Sequence, residues 1–134
     1  MSVENLWGEV PTREAVKLPV TILKQQATVL GDLTNRILEA EIVPVKAPSE
    51  DKLDYALEIV APALGNYHYK VLHIEHDAIT NYPVFVTARN NMAEWHSVKC
   101  DDEAQFITHL KGILSSPAIH NVIASLMAQS KVAA

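Results

Sequence analysis

The feature that most constrains this fold is a change in the spacing of apolar residues along the chain. In the segment 53–60, LDYALEIV, apolar and polar residues alternate, which is the two-residue period of a half-buried β-strand. Segments 36–45 and 67–76 show the same period. Towards both ends of the chain, apolar residues instead recur every three or four positions, as they do on one face of a helix. The sequence therefore predicts a sheet flanked by helical segments.

The order of these segments predicts the architecture. A helix is expected from Pro19, whose fixed φ suits a first helical turn, and two further helices are expected over 102–116 and 117–131. The strands between them are joined by connections too short for parallel crossovers. We therefore predict an α+β fold with an N-terminal helix, an antiparallel meander of four to five strands, and two C-terminal helices packed on one sheet face.

Length and composition fit one domain. The chain has 134 residues, of which 49% are hydrophobic and 20% are charged, so it can bury a core. We expect a single domain over 19–131. An arm at 1–18 precedes it, and a frayed tail at 132–134 follows it.

Charge and cysteine content limit the partners and the location that we expect. Acids outnumber bases 16 to 11, the net charge is −5, and the lysines and arginines are scattered singly, so no nucleic-acid partner is expected. The N-terminus lacks the apolar stretch of a secretory signal, and no apolar run reaches the roughly 18–20 residues that span a bilayer. Cys100 is the only cysteine, so no intramolecular disulfide can form. These features predict a cytoplasmic protein without membrane contact.

The stretch HIEHD raises the question of a metal or acid–base site. On a helix, histidines three apart could bind one metal ion, but on a strand His73 and His76 point to opposite faces. The alternation instead aligns His73, Glu75 and Asp77. These side chains could form a polar strand face, a carboxylate-oriented histidine, or part of a metal site completed by His68, His96 or an acid elsewhere. Because no known ligand signature is matched, we favour the polar face and predict no metal and no cofactor.

Common catalytic signatures are missing from the sequence. The four glycines are isolated, and GxGxxG, GxxxxGK[ST], GxSxG, HExxH and CxxC do not occur, so we favour a protein that is not an enzyme. His96 and Cys100 share a strand face, but four strand residues span roughly 13 Å, too far for a nucleophilic pair. A buried and unreactive Cys100 is expected. His109 and His120 fall on the polar sides of the last two helices, which predicts surface positions.

Tyrosines concentrate in the predicted sheet. Tyr67 and Tyr69 are expected to share a face with Val71, with Leu72 and Ile74 on the other face of the same strand. A sheet with helices on one side leaves its other side exposed unless a partner covers it, and tyrosine is favoured in such contacts. The tyrosines either cover the rim of the core or belong to an interface. The predicted interface consists of Tyr67, Tyr69, Val71, Val84 and Val86.

These features predict a small cytoplasmic, non-enzymatic binding or accessory protein that associates with itself through its sheet as a homodimer. One alternative is a metal-dependent or acid–base enzyme or small-molecule binder centred on His73, Glu75 and Asp77. Another is an acidic inhibitor or immunity-type protein that neutralises a basic protein. Its acidic patch would lie on adjacent strands and consist of Glu39, Glu41, Asp54 and Glu58. Size, acidity and the α+β plan are similar in a general way to small bacterial secretion chaperones and toxin-immunity proteins.

Overall fold

A five-stranded antiparallel sheet organises the protein. The computed structural model describes residues 3–9, 18–47, 49–89 and 94–134. The elements are α1 (Pro19–Leu33), β1 (Glu39–Val45), β2 (Lys52–Ala61), β3 (Tyr67–Asp77), β4 (Val84–Arg89), β5 (Trp95–Cys100), α2 (Glu103–Leu114) and α3 (Pro117–Ala133). The strands lie side by side in chain order, and each neighbouring pair is antiparallel. The predicted fold class, with its N-terminal helix, antiparallel meander and two C-terminal helices, is confirmed.

All three helices pack on the same face of the sheet. One core cluster joins Leu23 of α1, Phe106 of α2 and Leu126 of α3 to buried strand residues. Those strand residues are Leu57, Ile59, Leu72, Ile74, Val84, Val86, Ala88 and Cys100. Fully burying an aliphatic or phenylalanine side chain contributes about 1.5–3 kcal/mol, so this helix side of the sheet contains most of the stabilising contacts.

Local capping signals define the starts of the two C-terminal helices. The Asp102 carboxylate accepts a hydrogen bond from the Gln105 backbone N–H at 2.8 Å, and the Ser116 hydroxyl accepts one from the Ile119 N–H at 3.3 Å. These contacts satisfy N–H groups that a helix leaves unpaired. Helix α3 continues to Ala133, so it includes two of the three residues assigned to a frayed tail.

A β-bulge in β3 determines which side chains face the helices. Leu57 of β2 lies opposite Leu72, but the next β2 residue, Glu58, lies opposite Lys70, which leaves Val71 as an extra residue on β3. Both Val71 and Leu72 are buried in the core. An extra residue of this kind changes the phase of the alternation within one strand.

The bulge corrects one expectation about β3. The sequence predicted Tyr67, Tyr69 and Val71 on one face, with Leu72 and Ile74 on the other. In the structure Tyr69 pairs with Ile59 and Leu72 pairs with Leu57, and both β2 residues belong to the core face. The tyrosines and the aliphatic pair therefore lie on the same side of the sheet, because the chain shifts phase at Val71.

Residues 3–9 form a short turn near the N-terminus. The Asn5 side-chain oxygen accepts a hydrogen bond from the Trp7 N–H at 3.0 Å, and the Asn5 side-chain amide donates to the Gly8 carbonyl at 3.0 Å. The Leu6 and Trp7 side chains are exposed, Trp7 to 89%.

Deleting residues of β3 one at a time tests the bulge. Without Val71 the strand alternates regularly and both faces keep their residues. We therefore expect the Val71 deletion variant to fold, with a loss of about 1.5–3 kcal/mol from the missing buried valine. Deleting His73 instead moves Ile74 to the other face and should prevent folding. Circular dichroism during urea unfolding measures both, and equal stability of the two variants would contradict the bulge.

Candidate functional site

The face of the sheet opposite the helices is the first candidate site, and we call it the open face. Its side chains are the strand residues that alternate with the core residues. They are Glu39, Glu41, Val43 and Val45 on β1; Lys52, Asp54, Ala56, Glu58 and Val60 on β2; His68, Lys70, His73, Glu75 and Asp77 on β3; Phe85, Thr87 and Arg89 on β4; and Trp95, Ser97 and Lys99 on β5. None of the three helices in the described part of the chain contributes to this face.

The histidine pair of the HIEHD stretch is split between the two faces. His73 lies on the open face, opposite Ala56 and Thr87. His76 is buried on the helix side, and its Nδ1 donates to the backbone carbonyls of Asp77, at 2.7 Å, and Thr80, at 3.0 Å. Strand geometry predicted this separation, and His76 contributes to the structure of the strand end.

His73 is oriented by Asp54, a partner that sequence reasoning missed. Its Nδ1 lies 3.2 Å from an Asp54 carboxylate oxygen, and Asp54 is buried. With Nδ1–H donating to the carboxylate, Nε2 is left as a hydrogen-bond acceptor on the open face. The His73 ring lies 6.3 Å from the Trp95 ring, between centroids. The arrangement can hold one tautomer and accept a hydrogen bond from a binding partner.

The other residues considered for a metal site do not converge on His73. Asp77 forms an ion pair with Lys52, and this hydrogen bond raises the pKa of the Lys52 ammonium. His96 pairs with Ala88 and therefore lies on the helix side of the sheet, away from Glu75. Within residues 3–9, 18–47, 49–89 and 94–134, no group of three His, Cys, Asp or Glu side chains could hold a metal ion.

The predicted interface residues do not form a surface on the open face. Val71, Val84 and Val86 are buried beneath the helices. Tyr67 is exposed and Tyr69 is half-buried, but both lie on the helix side because of the bulge. Any contact through the open face must therefore use other side chains.

Charges on the open face are segregated across the strands. Glu41 of β1 lies opposite Glu58 of β2, and Glu58 lies opposite Lys70 of β3. At the same level of the sheet, Lys70 Nζ lies 5.6 Å and the Arg89 guanidinium carbon 5.1 Å from the centroid of the Trp95 ring. One row across the face therefore runs from two carboxylates to two cations and an aromatic ring, which is a cation–π arrangement.

Two aromatic residues are available for contact on the open face. Phe85 is 38% exposed and Trp95 is 44% exposed. Phe85 on β4 pairs with Lys99 on β5. Tryptophan and phenylalanine are enriched in protein interfaces relative to the rest of the surface.

A cavity on the helix side is the second candidate site. It has a volume of about 1060 Å³ and lies between β3, β4 and β5 on one side and α2 and α3 on the other. A smaller space of about 570 Å³ shares Tyr69 and Val122 with it and continues along α3. Ligand pockets for small molecules have volumes of roughly 300–1,000 Å³, so the larger cavity is big enough for such a ligand.

Small residues on α2 keep this cavity open. Ala104, Thr108 and Gly112 line it at intervals of four residues, so they share one side of the helix. A Cβ atom added at Gly112 would meet no atom within 4 Å. A larger residue at position 112 would therefore meet no clash at its Cβ atom.

His109 lies on the cavity wall and was wrongly placed at the surface by its position on the polar side of the helix. The side chain is half-buried, and burial together with the nearby His96 lowers its pKa. Cys100 also lines the cavity and is buried and free, as predicted. Burial, with Asp101 and Asp102 close by, raises the pKa of the Cys100 thiol, so it stays protonated and unreactive near neutral pH.

Comparison with known proteins finds no matching family model, no matching curated protein and no matching solved structure. In the ranges that the structure describes, no helix combines the length and the apolar character needed to cross a bilayer.

The environment of His109 predicts a pH dependence of stability. Because its pKa is lower in the folded protein, the unfolded chain binds more protons as the pH falls below about 6.5, and stability must fall with it. For each protein, the loss is the free energy of unfolding at about pH 8 minus that at about pH 5. This loss should be smaller in His109→Gln than in the wild type. Urea unfolding at these pH values measures the slope, and identical slopes for the two proteins would contradict the assignment.

Proposed function

We propose that this protein is a small non-enzymatic binding protein that pairs with a second copy of itself through the open face. The observation that supports the proposal is a sheet surface that none of the described helices covers, with opposite charges on its two halves. The helices already cover the other face, so the open face is the large flat surface available for a partner.

The charge pattern is complementary to itself under a two-fold rotation. In the proposed dimer the open faces of two copies stack on each other. The two-fold axis lies between the two sheets, runs parallel to the strands and passes midway between β2 and β3. Rotation about this axis places β2 over β3 of the second copy and β1 over β4 of the second copy. Glu41 then lies opposite Arg89 of the second copy, and Glu58 lies opposite Lys70 of the second copy. Each pair occurs twice in the dimer.

The other rows of the face agree with this axis. Val45 lies on the same level as Phe85, so the rotation places these two apolar side chains opposite each other. It also places Lys52 opposite Asp77. One like-charge pair results, between Asp54 and Glu75, but Asp54 is buried and its carboxylate is bonded to a histidine of its own chain.

The size of the face limits the strength of this pairing. Four overlapping strands, about 4.8 Å apart and about 20 Å long, give a flat footprint on the order of 400 Å² per copy. This area is roughly half that of a standard specific interface, which buries about 800 Å² per partner, and it is typical of weak, transient contacts. We therefore expect a dissociation constant on the order of micromolar and a dimer that weakens as added salt screens the charges.

A charge exchange tests the pairing directly. Arg89→Glu places the new acid opposite Glu41 of the other copy, twice in each dimer. This repulsion should raise the dissociation constant by about tenfold or more. The double variant Glu41→Arg with Arg89→Glu restores opposite charges in both copies and should recover dimerisation. Sedimentation velocity over a concentration series measures all three proteins.

Lys131→Glu provides the matched control, because it makes the same kind of charge change on an exposed residue of α3, away from the open face. It should leave the dimer unchanged. A wild-type protein that stays monomeric at millimolar concentration would overturn the proposal. A double variant no better than Arg89→Glu alone would overturn the assigned axis.

The acidic half of the face supports a second candidate, an inhibitor that binds a basic protein. Glu39 and Glu41 on β1 and Glu58 on β2 lie on the same face, as this hypothesis requires. However, Glu39 already pairs with Arg36 at 3.4 Å and Glu58 with His68 at 3.0 Å. We favour self-association because it uses both halves of the face, and we place the protein in the cytoplasm on the basis of its single buried thiol.

A further inference from the structure

We propose that the cavity between the sheet and α2–α3 binds a small elongated molecule that has an apolar body and one negatively charged group. The cavity goes beyond the proposed self-association, because it lies on the helix side of the sheet and shares only Arg89 with the open-face contacts used for pairing.

The shape and lining of the cavity define the apolar part of the ligand. Aliphatic side chains form its walls, among them Val71, Val98, Ile113, Ile119 and Val122. The adjoining space along α3 extends it in one direction. A linear hydrocarbon body could lie along these walls, and each methylene group that it buries contributes about 0.8 kcal/mol.

The sequence of α2 keeps the space open at a cost to helix stability. Gly112 lies inside the helix, where glycine is less stable than alanine by about 0.5–1 kcal/mol. A side chain at this position would extend into free space. A larger residue would therefore both strengthen the helix and fill the cavity, whereas the glycine preserves room for another molecule.

The charges around the cavity define the polar part of the ligand. Acids outnumber bases in the whole chain, yet the described lining residues include Arg89, Lys99 and His109 and no acid. The described lining residues of α3 are uncharged. Lys99 is engaged by Asp101 at 3.6 Å, so Arg89 and His109 are the better donors for a carboxylate.

The ligand charge should couple to the protonation of His109. The charge of nearby His96 on β5 acts on this imidazole, and the other titratable side chains that line the cavity are Tyr69, Arg89, Lys99 and Cys100. A bound carboxylate favours the protonated imidazole, whose pKa is lowered in the free protein, so affinity should rise as the pH falls, with proton uptake on binding.

Dodecanoate and dodecanol, compared on the full chain by isothermal titration calorimetry, test the proposal. They share the hydrocarbon body and differ in the charged group. We expect one dodecanoate per chain, binding about tenfold or more tightly than the alcohol, which corresponds to about 1.4 kcal/mol. Repeating the titration from about pH 8 to pH 6 should strengthen dodecanoate binding only.

Two variants locate the binding. Gly112→Phe fills the cavity and should weaken dodecanoate binding at least about tenfold. Ala124→Phe adds the same side chain at an exposed position of α3 that does not line this cavity, and it should bind as the wild type does. His109→Gln should still bind but lose the pH dependence, which supplies an independent readout if Gly112→Phe fails to fold.

Two results would overturn the proposal. The first is no saturable dodecanoate binding. The second is equal affinity for acid and alcohol, or equal affinity in the Gly112→Phe and Ala124→Phe variants.

Discussion

The pairing of β2 with β3 is the interaction on which the rest of this structure depends. These are the two longest strands, and they form the centre of the sheet. The bulge at Val71 lets β3 present apolar side chains to the helices both before and after it. In a regular register, either Tyr69 or Leu72 would have to leave the core face. Exposing one such side chain would lower the free energy of unfolding by about 1.5–3 kcal/mol, which is a large part of the net stability of a small domain.

A one-sided core explains why both candidate sites exist. Because the helices all pack on one face, the polar residues of the strands collect on the other, where the register aligns carboxylates of β1 and β2 with cations of β3 and β4. The cavity has a different origin. Helix α2 buries Phe106 and Leu110 but carries small residues on its adjacent side, so α2 and α3 do not close on β4 and β5. The strand register therefore produces the charge pattern of the open face, and the small side chains of α2 produce the cavity.

Local signals in the sequence were sufficient for the fold, but not for the site geometry. The spacing of apolar residues predicted the strands and the helices, because it depends on neighbouring residues only. The bulge was missed although two consecutive apolar residues, Val71 and Leu72, interrupt the alternation. A prediction that omits the bulge pairs the wrong residues of β2 and β3, so it cannot identify Asp54 as the partner of His73. The cavity depends on the distance between the sheet and helices α2 and α3. Local sequence patterns do not predict this distance.

The two candidate sites meet at one residue, Arg89, at the end of β4. Its guanidinium carbon lies 5.1 Å from the centroid of the Trp95 ring, on the open face, and 5.8 Å from that of the Tyr69 ring, on the cavity wall. A carboxylate in the cavity and a carboxylate of a second copy would both attract this one cation. Because a single charge cannot be fully engaged by both, occupation of one site should weaken the other. The Glu41→Arg, Arg89→Glu protein separates the two roles, since it restores charge complementarity between copies while the cavity still lacks its arginine.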